Sequence, residues 1–476
     1  MTVTAVSIPA PKVLKTHNMA VYSTIAAIST PPGKGGVAVI RISGPEAFAV
    51  ADRMFLPKNN RPLSESKARM QVWGDILLDG APIDDGLATR FSSPHSYTGE
   101  DTVEISCHGG FLITKMVLSA AFAAGAEPAT AGEFTRRAFL NGKLSLTDAE
   151  AIGNLLEASS AAAVRLASAK SRDKLSAAMD GIREDAVALM GSLFARIDYP
   201  DEDLGDFSDA ESIALLRSLL SRLDALIESY RTGRAVNEGI ATVICGKPNA
   251  GKSTLYNLLI GEDAAIVTDI AGTTRDILER TVPLGQVLLR LSDTAGIRET
   301  DDPVERIGVE KTQMRIKEAE LVLAVFDTSR PLTQEDHSLL SQLENLSATV
   351  IAVLNKSDLP AVWHEDTIRE KVTHLLPLSA KESDASPLRA LVESLFTNGN
   401  LTVGEDAIVS SARQHAGLLT AREHLSLALD AYLAGLPTDA AASDIERAIA
   451  ALGELCGKSV SEAVVSDIFA RFCVGK

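Results

Sequence analysis

A run of strand-forming residues, Ala241 to Cys245, leads straight into Gly246-Lys247-Pro248-Asn249-Ala250-Gly251-Lys252-Ser253 and then into a helical pattern that opens with Thr254. Two glycines, a lysine and a serine at this spacing, between a strand and a helix, form a phosphate-binding loop. The glycines let backbone N–H groups turn toward phosphate oxygens, and the helix N-terminus adds a favourable dipole. Lys252 reaches the β and γ phosphates, and Ser253 offers a ligand to Mg²⁺. From Glu238 to about Thr397, strand-like runs alternate with helical patterns: Ala241 to Cys245, Val287 to Leu291, Leu321 to Phe326, Val350 to Leu354 and Leu375 to Leu378. That alternation predicts a parallel sheet covered on both faces.

Three further motifs follow the loop in the order expected of a GTPase. Asp293-Thr294-Ala295-Gly296 ends one strand, which puts Asp293 by the Mg²⁺ shell and the Gly296 N–H near the γ phosphate. Asn355-Lys356-Ser357-Asp358 ends another, and Asp358 can accept from the two N–H donors of the guanine edge. Adenine would leave that carboxylate badly paired, so the site selects GTP. Ser379-Ala380-Lys381 supplies another base-contacting loop. Ile297 follows Gly296 where Ras-like proteins carry a water-orienting glutamine, so another group must do that work; Glu299, Asp301, Asp302 and Glu305 are the nearby acids.

The rest of the 476 residues leaves room for two to four domains. The expected layout is an α+β amino-terminal domain over 22–140 and an α-helical domain built from two chain segments, 141–235 and 404–476. An α/β P-loop GTPase domain over 236–403 is inserted between those segments. Asp148 to Ala195 and Ser208 to Tyr230 read as long amphipathic helices separated by the acidic break Tyr199 to Asp203, and Gly435-Leu436-Pro437 interrupts the last helical stretch. Residues 1–21 are expected to be a disordered extension, with a transit peptide as the alternative and Met19 as a second candidate start. The longest apolar runs, Leu321 to Phe326 and Val350 to Leu354, fall far short of the ~20 residues of a membrane helix, so a soluble chain with no membrane contact is expected.

With 63 acidic residues against 46 Lys and Arg, the net charge of −17 excludes a diffuse field for nucleic acid; any RNA contact must be locally basic or shared with a partner. Cys107, Cys245, Cys456 and Cys473 lie far apart, which suggests neither a zinc site nor a disulfide framework and fits a reducing cytoplasm.

Gly272-Thr273-Thr274-Arg275-Asp276, Asn249 in the phosphate loop and the terminal Phe472-Cys473-Val474-Gly475-Lys476 together resemble the tRNA modification GTPase family MnmE (TrmE). The likeness extends to Thr30 through Gly36, Arg41-Ile42-Ser43-Gly44, Thr98-Gly99-Glu100-Asp101, Cys107-His108-Gly109-Gly110 and Gly132-Glu133-Phe134-Thr135, and so covers the chain from about residue 22 to its end. Val474 stands where the family usually has isoleucine.

The resemblance implies a K⁺-activated, homodimeric GTPase that works with an FAD protein of the MnmG (GidA) family. Together they modify C5 of the wobble uridine, U34, of certain tRNAs by adding an aminomethyl or carboxymethylaminomethyl group, using the one-carbon unit of 5-formyl- or methylene-tetrahydrofolate. It places Thr268, Asp269, Ile270, Ala271, Gly272, Thr273 and Thr274 in the GTP site. K⁺ falls to Asn249, Thr268, Ile270 and Thr273, and Thr274 joins Ser253 on Mg²⁺. Glu305 is implied to position the attacking water through a bridging water. Folate falls to Arg41, Glu104, Lys143 and Lys476 of the amino-terminal folate-binding and dimerisation domain and the chain end, while Cys473 is implied in the modification chemistry. A ribosome-assembly GTPase of the Era or Der type is the alternative, although neither a KH-like module nor a second phosphate loop is visible.

Overall fold

The computed structural model describes residues 23–198, 208–261, 279–292, 315–344, 346–382, 384–399, 401–457, 462–470 and 472–475. The chain forms two compact units: Met1–Ala149 with Val460–Lys476, and Glu150–Ser459.

The first unit is built on a seven-stranded sheet of β1 (Ile25–Ile28), β2 (Val37–Ser43), β3 (Phe55–Pro57), β4 (Gln71–Leu78), β5 (Ala81–Phe91), β6 (Thr102–His108) and β7 (Glu127–Pro128). The spatial order is β3-β4-β5-β6-β2-β1-β7. Alternation in β2 and β6 sends Ala38, Ile40, Ile42, Val103, Ile105 and Cys107 to one face. There they meet Val50, Ala51 and Met54 of α1 (Ala47–Met54) and Val117, Ala120 and Ala121 of α2 (Phe111–Ala123). The opposite strand positions remain free to carry polar chemistry, Arg41 and Glu104 among them. The α+β character expected of this region is what the structure has. A short α3 (Glu133–Leu140) then leads into α4 (Leu146–Glu157).

In the second unit, α6 (Ala169–Asp198) and α7 (Asp209–Asn237) are joined by α12 (Ala412–Leu433) and α13 (Thr438–Leu455) from much later in the chain. One core holds Met179, Ile182, Leu189 and Leu193 from α6 and Leu216, Leu219, Leu223 and Leu226 from α7. Leu418, Leu425, Ile445 and Leu452 from the returning helices complete it. Their three- and four-residue spacing produces the buried stripe, so two distant chain segments make one helical body, as expected. The helical pattern from Asp148 is less continuous than its composition suggests. A short α5 (Ala161–Leu166) stands between α4 and α6 because the Ser160 hydroxyl accepts from the Ala163 N–H at 3.1 Å and starts a new helix.

Between these segments lies a six-stranded sheet. Its strands are β8 (Ile240–Cys245), β9 (Glu279–Leu284), β10 (Val287–Ser292), β11 (Leu321–Asp327), β12 (Thr349–Asn355) and β13 (His374–Leu378), in the order β13-β12-β11-β8-β10-β9. Helices α8 (Lys252–Gly261), α9 (Gln334–Leu343) and the short α10 (Asp366–Arg369) lie between strands, and α11 (Ser386–Phe396) follows the last. Both sheet faces are buried: Ile244, Leu323, Val325, Ile351 and Val353 enter one core, and Val243, Val322, Ala324, Phe326 and Ala352 the other. The sheet is not wholly parallel, since β9 runs antiparallel to β10 at the edge. Glu279-Arg280-Thr281 and Pro283 hide this strand from a hydrophobic pattern, and proline is tolerated there because an edge strand can leave one N–H position unpaired.

Candidate nucleotide site and docked chain end

The phosphate loop follows β8, a central strand, and α8 begins at Lys252. Gly251 has φ +101°, and a Cβ at that position would lie 2.0 Å from Asn355 Nδ2, so both conformation and space require glycine. Asn249 is also left-handed, at φ +63°, and is exposed. Asn355 ends β12 and is 3% exposed. Its Nδ2 donates to the Ala250 carbonyl at 2.8 Å, while its Oδ1 accepts from the Ala380 N–H at 3.0 Å. One buried amide therefore fastens the phosphate loop to the two loops expected to read the base. The Ser379 hydroxyl donates to Asp358 Oδ1 at 2.7 Å, aligning an exposed carboxylate beside that junction.

Lys356 has φ +65°, and its ammonium donates to Asp327 Oδ2 at 2.6 Å. Burial pushes the Asp327 carboxyl up, but the Lys356 ammonium and the hydroxyl and N–H of Ser329 outweigh it, holding the group below its ordinary range. Lys252 donates from Nζ to the Lys247 carbonyl at 3.0 Å. Cys245, beneath the loop, is pushed up to about 12, chiefly by burial, and is a packing thiol. Asn249, Ala250 and Gly251 thus lie in the loop and Lys252, Ser253 and Thr254 in the first turn of α8, while Asn355, Lys356, Ser357, Asp358, Ser379, Ala380 and Lys381 lie at the adjoining strand ends. Sequence reasoning missed Asp327, although an acid closing a buried strand resembles the pattern that singled out Asp293.

In the first unit, Arg41 and Glu104 lie opposite each other on β2 and β6, with Nη2 and Oε1 2.8 Å apart. The Arg41 guanidinium lies 5.1 Å from the Tyr97 ring centroid and 5.6 Å from that of Phe134, a cation–π setting that fixes its plane. Lys143 is exposed and donates to the Pro94 carbonyl at 3.0 Å, a different partner set from the Arg41 pair. His108 pairs with Asp84 at 2.7 Å, which raises the imidazole above its ordinary value.

The carboxyl end belongs to this unit. Phe469 packs on Phe139 and Phe472 at centroid distances of 6.2 and 5.6 Å, and Phe472 is buried. Val474 pairs with Ala131 in an antiparallel bridge, and the Ser29 hydroxyl donates to the Gly475 carbonyl at 3.1 Å. Gly475 has φ +104°, and a Cβ there would lie 2.0 Å from the Ile28 carbonyl oxygen, so the tail is seated too closely for any other residue. Cys473 is exposed between these contacts.

Residues 24–143 match the family described as GTP-binding protein TrmE N-terminus, and residues 146–473 match the MnmE helical domain. The tRNA modification GTPase MnmE of Thermotoga maritima is 38% identical over 459 residues, covering 95% of this chain and 100% of the relative. That of Symbiobacterium thermophilum is 42% identical over 455 residues, covering 95% and 99%. The chain belongs to the tRNA modification GTPase MnmE family.

As a member of the MnmE family it is a GTPase, in accord with the loop and base-reading motifs. A GTP-binding protein from the archaeon Sulfolobus solfataricus in complex with GDP covers 45% of this chain and 66% of its own at 17% identity, with a TM-score of 0.25, a likeness too slight to add to the family match. Thr268, Asp269, Ile270, Ala271, Gly272, Thr273, Thr274, Asp293, Thr294, Ala295, Gly296, Ile297, Glu305 and Lys476 lie outside the described residues, as does the extension 1–21. No helix among the described residues is long and apolar enough to cross a membrane.

Proposed function

We propose that this MnmE-family GTPase uses GTP hydrolysis to drive modification at C5 of U34 in certain tRNAs. It does so as a cytoplasmic homodimer with an FAD-dependent partner of the MnmG family and a folate one-carbon unit. The observation that carries the reading beyond a nucleotide switch is the docked chain end. A GTPase switch has no need of a late chain segment built into a separate unit, where Gly475 and Val474 are gripped by Ser29 and Ala131. Such a grip supports a chemical role for that unit, with Cys473 exposed beside the sheet that carries Arg41 and Glu104.

In this reading the domain borders fall near residues 22, 141, 236 and 404. Lys252 and the N–H groups of the phosphate loop bind the β and γ phosphates, and Asp358 binds the guanine edge. Asn249 is suited to a cation because its left-handed backbone leaves the side chain exposed at the loop rim. It joins Thr268, Ile270 and Thr273 around K⁺, while Ser253 and Thr274 hold Mg²⁺. The two cations supply neutralisation of charge developing on the phosphates. Glu305 orients water in place of the missing glutamine, so Glu305→Ala should lower turnover by about 10²-fold with GTP affinity kept. Arg41 offers donors to the carboxylates of folate and Glu104 an acceptor to its pterin N–H groups, and Lys143 and Lys476 complete the set.

The purified chain, incubated with an MnmG-family protein, tRNA, GTP and folate labelled in its one-carbon unit, should transfer label to U34. Transfer should be faster in K⁺ than in Na⁺ at equal ionic strength. Unlabelled tRNA from an otherwise active mixture would remove the folate role, and equal rates in both salts would remove the K⁺ role.

A further inference from the structure

Lys247 is the second residue of the phosphate loop, and its side chain is committed to a protein partner. Its ammonium lies 2.7 Å from Asp336 Oδ2, with the two side chains only 12% and 1% exposed. Asp336 stands in the first turn of α9, and the same oxygen accepts from the N–H and the hydroxyl of Thr333, each at 2.8 Å. Its other oxygen is buried with no hydrogen-bond partner among the described residues. The backbone of Lys247 faces the other way chemically, since its carbonyl accepts from Lys252 Nζ at 3.0 Å. A single residue thus links the start of α9 to the ammonium that the loop aims at phosphate. On the far side of the loop, Asn355 holds the Ala250 carbonyl. The loop is therefore pinned at two residues by side chains 89 and 105 positions away in sequence.

A buried lysine and aspartate are a costly way to fill space, because their desolvation offsets most of their attraction and apolar residues would pack more cheaply. What the pair adds is direction: a charged, hydrogen-bonded contact has one geometry where an apolar contact has many. We propose that Lys247 and Asp336 are positioning residues for GTP. They clamp the phosphate loop to α9 so that the Lys247 carbonyl and Lys252 Nζ stay in register with the β and γ phosphates. The proposal rests on the GTP-binding reading of the loop and goes beyond it by adding a residue outside every GTPase motif.

Titration with a fluorescent GTP analogue, together with turnover and thermal unfolding, tests the clamp. Lys247→Met should weaken binding by about tenfold or more, and Lys247→Arg, which keeps charge and reach, should recover to within about threefold of the parent. Lys247→Met also strands the buried Asp336 carboxylate, so loss of fold alone could weaken binding. The double variant Lys247→Met/Asp336→Leu separates the two effects, because it removes the stranded charge. It should melt near the parent yet still bind GTP weakly. A stable double variant that binds like the parent would reduce the pair to a stability device and overturn the proposal, as would Lys247→Arg binding no better than Lys247→Met. If the parent itself binds no GTP, the nucleotide reading fails first, a result distinct from all variants binding alike.

Discussion

Asp358 and Asp327 show how differently two carboxylates beside one loop behave. Asp358 is exposed and aligned by Ser379, free to meet a ligand, whereas Asp327 is buried and spent on Lys356. Asp358→Asn should therefore shift base preference from guanine toward xanthine, because an amide can donate to the carbonyl that replaces the exocyclic amine. Competition between the two triphosphates checks this, and unchanged guanine selectivity would remove the base-reading role. Asp327 titrates below its ordinary value of 3.8, so the unfolded chain binds its proton more readily than the folded one. Its contribution to stability is complete above that value and is lost as pH falls through the lower, folded one. The stability difference between parent and Asp327→Asn should stay constant from about pH 6 to about pH 8 and shrink only in strong acid. A difference already shrinking near neutrality would contradict the assigned shift. Asp358 was legible because its motif is contiguous. Asp327 and Asp336 were not, because their lysines lie 29 and 89 positions away and only the folded sheet brings them together.

Secondary-structure elements were legible wherever one force dominated. The five buried strand runs and the helix stripes of α6, α7, α12 and α13 are patterned by burial, and both were foreseen. The edge strand β9 was missed because its pairing depends on β10 and not on its own apolar content. The break before α5 was missed because a single serine cap decides it. The grip on the tail depends on backbone closeness at Gly475, which composition cannot register. Gly475→Ala must displace Ile28 or release the tail. This variant, like deletion of Phe472 to Lys476, should abolish tRNA modification while GTP hydrolysis persists, since the phosphate loop belongs to the other unit. Nucleoside analysis alongside a phosphate-release assay checks both halves. Full modification by the truncated protein would make the chain end dispensable.

At the scale of the whole molecule, the chain pairs a GTP site in one unit with a docked chain end and a paired arginine and glutamate in another. The net charge of −17 leaves no diffuse positive field to hold tRNA, so any contact of this chain with RNA must be locally basic or shared with another molecule. The proposed function stands or falls on whether GTP hydrolysis at Lys252 drives modification of U34. The direct test is analysis of bulk tRNA nucleosides from a strain lacking this protein, complemented with the parent or with Lys252→Ala at matched expression. The parent should restore the C5-modified wobble uridine, and Lys252→Ala should leave it unmodified. Full restoration by a Lys252→Ala protein shown to hydrolyse no GTP would contradict it.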